Sequence, residues 1–297
     1  MFGKLKVWYL AVRPHTLSAA AVPVLVGLAL VLMDGSIDIL LAVLTLVACL
    51  LVQMATNLID EYSDHDRPEG KLKMVAPYKV IALGLLSAKA VKKGAIVCLA
   101  IAFIIGVYIV LVTGWPILVI CLVSVAAVYF YSAGPKPLGS IGLGQPLVFM
   151  LMGPVMVLGT YYVQTQIFTL DSFLVSLSLG CTVTAIMAAN DIRDIEEDSV
   201  AGKRTIGTAF GLRVALWEYL LLIAAAFVIV IVLVAAGKIY PLSLISLLAV
   251  PQAVRAFRYL WGGRSRQEWL LGLRATSGLH MYFGLLLAIG IGVGSFL

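Results

Sequence analysis

Apolar residues run along this chain in stretches of about 18–23, separated by short polar connections, and none shows the period-two alternation of a half-buried strand. A helix rising ~1.5 Å per residue crosses a ~30 Å hydrocarbon layer in about that length. The pattern predicts nine spans, over 16–33, 38–57, 94–113, 115–132, 143–163, 173–190, 214–236, 239–258 and 276–296. The expected fold is an all-α integral membrane bundle of nine transmembrane helices, with residues 1–297 as a single domain. The length and continuity of the runs exclude a membrane β-barrel. The first run begins after "KLKVWYLAVRPHT" and lacks a small-residue cleavage site, so it reads as a retained helix and not a removed signal.

Composition agrees: 62% hydrophobic residues and only 12% charged exclude a water-soluble domain of 297 residues. The four cysteines, Cys49, Cys98, Cys121 and Cys181, stand singly inside apolar runs and read as packing residues. Charge adds topology. With nine spans, 20 of the 21 Lys and Arg fall on one side and Lys238 alone lies opposite. By the positive-inside rule the N-terminus and the connections near 58–93, 133–142, 191–213 and 259–275 are cytoplasmic and the C-terminus is outside, as in a cell membrane. The net charge of +6 is thus a topology signal and does not point to a nucleic-acid partner.

Acidic residues share that bias, which the rule does not require. Ten of the fifteen lie in two connections: Asp60, Glu61, Asp64, Asp66 and Glu69, then Asp191, Asp194, Glu196, Glu197 and Asp198. "MATNLIDEYSD" from Met54 and "MAANDIRDIEED" from Met187 share a Met-Ala-x-Asn start with a carboxylate four residues after the asparagine. The similarity suggests two repeated halves, roughly 1–135 and 136–297, facing each other. On a helix Asn57, Glu61 and Asp64 share a face, as do Asn190, Asp194 and Asp198. Each face is a row of hard oxygen ligands that repel one another unless a cation intervenes, which suits magnesium completed by phosphate oxygens. Arg193, and Lys203 with Arg204 in "AGKRT", stand beside the second row, so cations and metal together describe a diphosphate site. Lys136 and Arg13 stand at the cytoplasmic ends of the fourth and first spans, where either could reach the same cavity. Two other readings remain open: interfacial charges that merely end helices, and an ion-coupled transporter, although transport sites usually lie at the bilayer midplane.

These motifs, with "RPHTLSAAAVPVLVG" (13–27), "YSAGPKPLGSIGLGQPLVF" (131–149) and "GTYYVQT" (159–165), resemble the UbiA superfamily of membrane prenyltransferases over nearly the whole chain. Within it, "NDIRDIEEDSVAGKRT" is most similar to the branch that prenylates 1,4-dihydroxy-2-naphthoate in menaquinone biosynthesis. The resemblance implies a bundle around a central cavity open to lipid, with two Mg2+ ions bridging the acidic motifs to a polyprenyl diphosphate. It implies Asn57, Asp60, Glu61 and Asp64 as first-site metal ligands and Asn190, Asp191, Asp194 and Asp198 as second-site ligands. Diphosphate binding falls to Lys136, Arg193, Lys203 and Arg204, and catalysis to Asp64, Asp194, Lys136 and Lys203. The aromatic acceptor falls to Arg13, Tyr62 and Tyr131, with 4-hydroxybenzoate or another acceptor as the alternative to the naphthoate. The first motif departs from the family pattern, having Asp60-Glu61 where Asn-Asp is usual, which leaves open which of Asp60, Glu61, Asp64 and Asp66 touches metal. "KLKMVAPYKVIALGLLSAKAVKKG" (71–94) mixes cationic and apolar residues as an interfacial helix does.

Overall fold

The computed structural model describes residues 3–66, 79–132 and 137–297. The chain order is α1 (Lys4–Val12), a 3-10 turn at Pro14–Thr16, α2 (Ser18–Asp34), α3 (Ile39–Asp66), α4 (Ala88–Thr113), α5 (Trp115–Ser132) and α6 (Gly144–Met150). A π turn at Leu151–Val155 joins α6 to α7 (Met156–Thr165), followed by α8 (Leu170–Arg193), α9 (Ile195–Val200), α10 (Ile206–Phe210) and α11 (Leu212–Ala235). A 3-10 run at Pro241–Ala249, α12 (Val250–Gly262) and α13 (Arg266–Gly294) complete it. Among the described residues the sole extended pairing is an isolated bridge between Ile141 and Arg204.

The chain is a multi-pass membrane protein, and each expected span coincides with helical chain, though not always with one long helix. Among the described residues six segments are long and apolar enough to cross a bilayer, or seven if α1, the Pro14–Thr16 turn and α2, bent by 55°, count as one, fewer than the nine expected. The run 239–258 is divided because Pro241 and Pro251, which lack an N–H, each sit at the start of a separate helical segment. Pro154 is accommodated within 143–163 by the π turn, whose wider winding absorbs the missing hydrogen bond. The expected interfacial helix over 71–94 is not seen where described: 80–86 forms turns, with Gly84 at φ +67°, and α4 starts at Ala88 behind its Ser87 cap.

Helix α8 occupies the centre. Of its apolar window 72% is buried, against 17% for α4, so α8 is walled by protein where α4 faces outward. The main core joins α2, α7, α8, α11, α12 and α13, while a second cluster joins Val7, Ala11, Leu58, Val91 and Ala95 of α1, α3 and α4 with Val80 of the turn before α4. Small residues permit close contacts. Gly153 lies against the backbone of Gly180, where an added Cβ would come within 2.6 Å of its Cα. Gly290 and Gly294, a small-xxx-small pair, lie against Ser243 and Tyr240, so this pair serves packing within the chain.

A methyl at Gly290 would stand 2.5 Å from Ser243 Cα and 2.7 Å from the Leu242 carbonyl oxygen. Gly290→Ala is therefore expected to destabilise the protein by about 1–3 kcal/mol in detergent unfolding. Gly106→Ala, with nothing near its added Cβ, should not destabilise.

Candidate active site at one end of the bundle

The polar chemistry divides between the two ends. At one, Tyr161 donates to Asp34, Gln164 meets Asp38, and Lys238 pairs with Asp171 at 3.1 Å. At the other lie the C-terminal ends of α3, α5 and α8, with both acidic motifs. Tyr131, closing α5, is within electrostatic reach of Asp191 and Asp198 from the second motif and of Asp60 from the first. Its hydroxyl donates to Met187 Sδ at 3.7 Å, and its ring packs on Gly139. The two motifs are thus brought to one end, with Tyr131 near acidic residues of both.

The first motif is tied to α1. Pro14 disfavours a right-handed helical Arg13, which takes φ +52°, ends α1 and turns its guanidinium toward α3. Asn57, 5% exposed, holds the bend by donating to the Val12 carbonyl at 2.7 Å and to Thr16 Oγ1 at 2.8 Å. Arg13 donates to Asp60 at 2.7 Å and stands 3.6 Å from Glu61. Glu61, 2% exposed, accepts from the Ile81 N–H at 3.1 Å and lies 3.6 Å from Lys79. The row of oxygens predicted on α3 is therefore met by cations of the chain itself. Asp64 follows on the same helix, its side chain outside the described residues, as is Lys136 altogether.

The second motif divides between two sides. Arg193 donates to Asn190 at 2.8 Å and grips both oxygens of Asp194. From the far end of the sequence Arg266 adds a bond to Asp194 at 3.1 Å and grips Glu197. Ser265 caps α13 by accepting from the Glu268 N–H, which fixes Arg266 at the first helical position. Asp191 instead accepts from Gln145 of α6 at 2.9 Å. Asp198 pairs with Lys203 at 3.0 Å across a turn made by Gly202 at φ +69°. The Arg204 N–H donates to the Ser140 carbonyl, lacing the second motif to the 137–142 segment.

Of the expected acceptor residues, Arg13 is engaged with the first motif and Tyr62 packs on the α1–α3–α4 cluster with Lys92 over its ring at 5.4 Å. Tyr131 is near acidic residues of both motifs. Two residues escaped the sequence reading. The "SRQE" cap before α13 was available to locate Arg266, and Glu218 is a lone charge in the apolar run of α11.

The donor set of carboxylate oxygens fits a hard divalent ion: Glu61, Asp191, Asp194 and Asp198 are at most 5% exposed. Among the described residues, no three acidic, histidine or cysteine side chains already converge as a metal cage. Such a centre would draw its remaining ligands from phosphate oxygens.

With this geometry established, kinship is direct. The UbiA prenyltransferase family matches residues 20–292. The chain belongs to that family. It is 33% identical over 97% of its length, and 93% of the relative's, to a 1,4-dihydroxy-2-naphthoate octaprenyltransferase of Bacillus subtilis. Its fold is similar to a UbiA homologue from Aeropyrum pernix (TM-score 0.65, 19% identity, 93% of this chain and 96% of that one). A UbiA homologue from Archaeoglobus fulgidus bound to DMAPP and Mg2+ also shares it (TM-score 0.61, 16% identity, 95% and 99% covered). The chain is accordingly a membrane prenyltransferase.

Arg266 and Asp194 should be energetically coupled, since Asp194 has only 6% of its side chain exposed. A double-mutant cycle of Arg266→Gln with Asp194→Asn is expected to give a coupling of about 1 kcal/mol in thermal unfolding. Additive effects would show the pair to be independent.

Proposed function

We propose that this UbiA-family prenyltransferase moves a polyprenyl group from an allylic polyprenyl diphosphate to 1,4-dihydroxy-2-naphthoate, with loss of the carboxyl group, in menaquinone biosynthesis. The reading is carried by the convergence of two acidic motifs and their basic partners at one end of an apolar bundle. Identity to the Bacillus subtilis octaprenyltransferase over nearly both whole chains supports the naphthoate acceptor. The Archaeoglobus homologue bound to DMAPP and Mg2+ supports an allylic diphosphate and a divalent ion.

Two Mg2+ ions would be held by Asn57, Asp60, Glu61 and Asp64 on one side and by Asn190, Asp194 and Asp198 on the other. Bound there, the metal supplies Lewis-acid stabilisation of the departing diphosphate. Arg193, Lys203, Arg204 and Lys136 complete a positive cradle around the same oxygens, with Arg193 held at the end of α8. Arg193, now bonded to Asp194, exchanges a carboxylate for a phosphate partner when donor arrives. As the allylic C–O bond breaks and diphosphate leaves, the electron-rich acceptor ring attacks the allylic carbon, and the ring regains aromaticity by releasing its carboxyl group as carbon dioxide. The apolar bundle keeps water from quenching that carbon first. Tyr131, near both motifs, would face the reacting centre with its electron-rich ring.

The prenyl chain lies in the lipid-open interior, with nine crossings built from two repeated halves. The N-terminus and the site face the cytoplasm and the C-terminus the outside of the cell membrane, in accord with the charge asymmetry.

Purified protein in lipid, given allylic diphosphates, Mg2+ and either dihydroxynaphthoate or 4-hydroxybenzoate, is expected to yield prenylated naphthol by mass analysis. Asp194→Ala should lower turnover by about 100-fold or more while circular dichroism stays unchanged. Undiminished turnover in that variant would remove the second motif from the mechanism.

A further inference from the structure

A cavity of about 270 Å3 opens between the start of α6, the C-terminal half of α8, the Arg204–Ile206 segment and α11. Its walls are of two kinds. Phe149, Met187 and Leu222 supply apolar surface, with Phe149 seated over Gly180, where any larger residue would displace the ring. Gln145, Thr184, Asp191 and Glu218 supply polar atoms, and Arg204 stands at the exposed rim.

Two of those polar atoms lack partners. Thr184, 4% exposed, has its Oγ1 buried without a hydrogen bond, and so does Oε2 of Glu218. Buried polar atoms in folded proteins are nearly always satisfied, so two orphans lining one cavity indicate an absent partner. An ionised carboxylate only accepts, so that partner must donate, as a hydroxyl does. Asp191 is already aimed here, fixed at 2.9 Å by Gln145, whose amide also faces Glu218. The volume lies just below the ~300 Å3 at which small-molecule pockets begin, enough for one or two rings and too little for a long prenyl chain. Apolar walls argue against a bare cation, and two carboxylates argue against phosphate. A flat ring bearing O–H donors, with an acidic group reaching Arg204, meets every wall.

We propose that this cavity is the acceptor subsite, binding a hydroxylated aromatic acid. Glu218 and Thr184 bind its hydroxyl groups, and Asp191 serves this subsite from a stripe of α8 adjoining that of Asp194. The proposal rests on the aromatic-acceptor reading above and adds its location. Hydrogen bonding of a ring hydroxyl to the Glu218 carboxylate also raises electron density on the ring, which suits a carbon nucleophile. Thr184, Met187 and Asp191 recur at helical spacing, so one stripe of α8 faces the acceptor while the neighbouring stripe, Asn190 and Asp194, faces Arg193 and the donor side.

The test uses the full chain in lipid nanodiscs, with dihydroxynaphthoate binding followed directly and with KM measured separately for acceptor and donor. Glu218→Gln and Thr184→Val are each expected to weaken acceptor binding about tenfold, as loss of a buried hydrogen bond does, with donor KM within twofold. Thr184→Ser should restore affinity, and Leu222→Trp should block acceptor binding by filling the space. If Glu218→Gln does not fold, the Thr184 and Leu222 variants decide. Unchanged acceptor affinity, or an equal rise in both KM values, would overturn the subsite and leave a cavity that holds water only. Wild-type protein that prenylates no aromatic acceptor would instead overturn the functional reading beneath it.

Discussion

Negative charge withdrawn from water at the end of an apolar bundle is the constraint on which the rest depends. Glu61, Asp191, Asp194 and Asp198 are each at most 5% exposed, and an isolated buried carboxylate costs several kcal/mol. Each therefore has a partner: the Ile81 amide and Lys79, Gln145, Arg193 with Arg266, and Lys203. Most of these partners come from other elements. Compensating the charge consequently draws the α3–α4 connection, α6 and the start of α13 to one end. A site that holds its carboxylates ready by pairing them with arginine and lysine also carries the positive groups that a diphosphate requires.

The apolar part of the molecule sets where those charges stand. Helix α8 is enclosed on most sides, with Gly180 meeting both Gly153 and Phe149 at distances that admit no side chain. Such contacts fix its rotation, and its rotation decides which acidic residue meets which neighbour. Asp194 faces two arginines, whereas Asp191, three residues earlier, faces Gln145 and the cavity toward α11. The bend at Arg13 acts likewise at the first motif. There Asn57 satisfies the Val12 carbonyl released at the end of α1, and the guanidinium is delivered to Asp60.

Much of this was legible in the order of residues. Lipid removes every backbone alternative except helix or closed barrel, so long apolar runs specify helices directly. The repeated Met-Ala-x-Asn segments marked the two polar helix ends, and the glycine before Lys203 marked a turn that the chain makes. Less legible were roles that depend on a partner distant in sequence. The spacing that makes Asn57 a candidate ligand does not reveal that its amide N–H groups also tie α3 to Val12 and Thr16, nor does the position of Arg13 reveal its pairing with Asp60.

The sequence by itself determined the helical membrane class, the ends at which charge gathers and the oxygen-rich chemistry of the two motifs, because hydropathy and residue type are local properties. Only the tertiary structure decided that Arg266 reaches Asp194 across 72 residues, that Glu218 and Thr184 share a cavity with Asp191, and that the run at 239–258 divides at Pro251. Those facts depend on the rotation and depth of one helix against another. Close packing fixes them through many small contacts that no short stretch of chain contains.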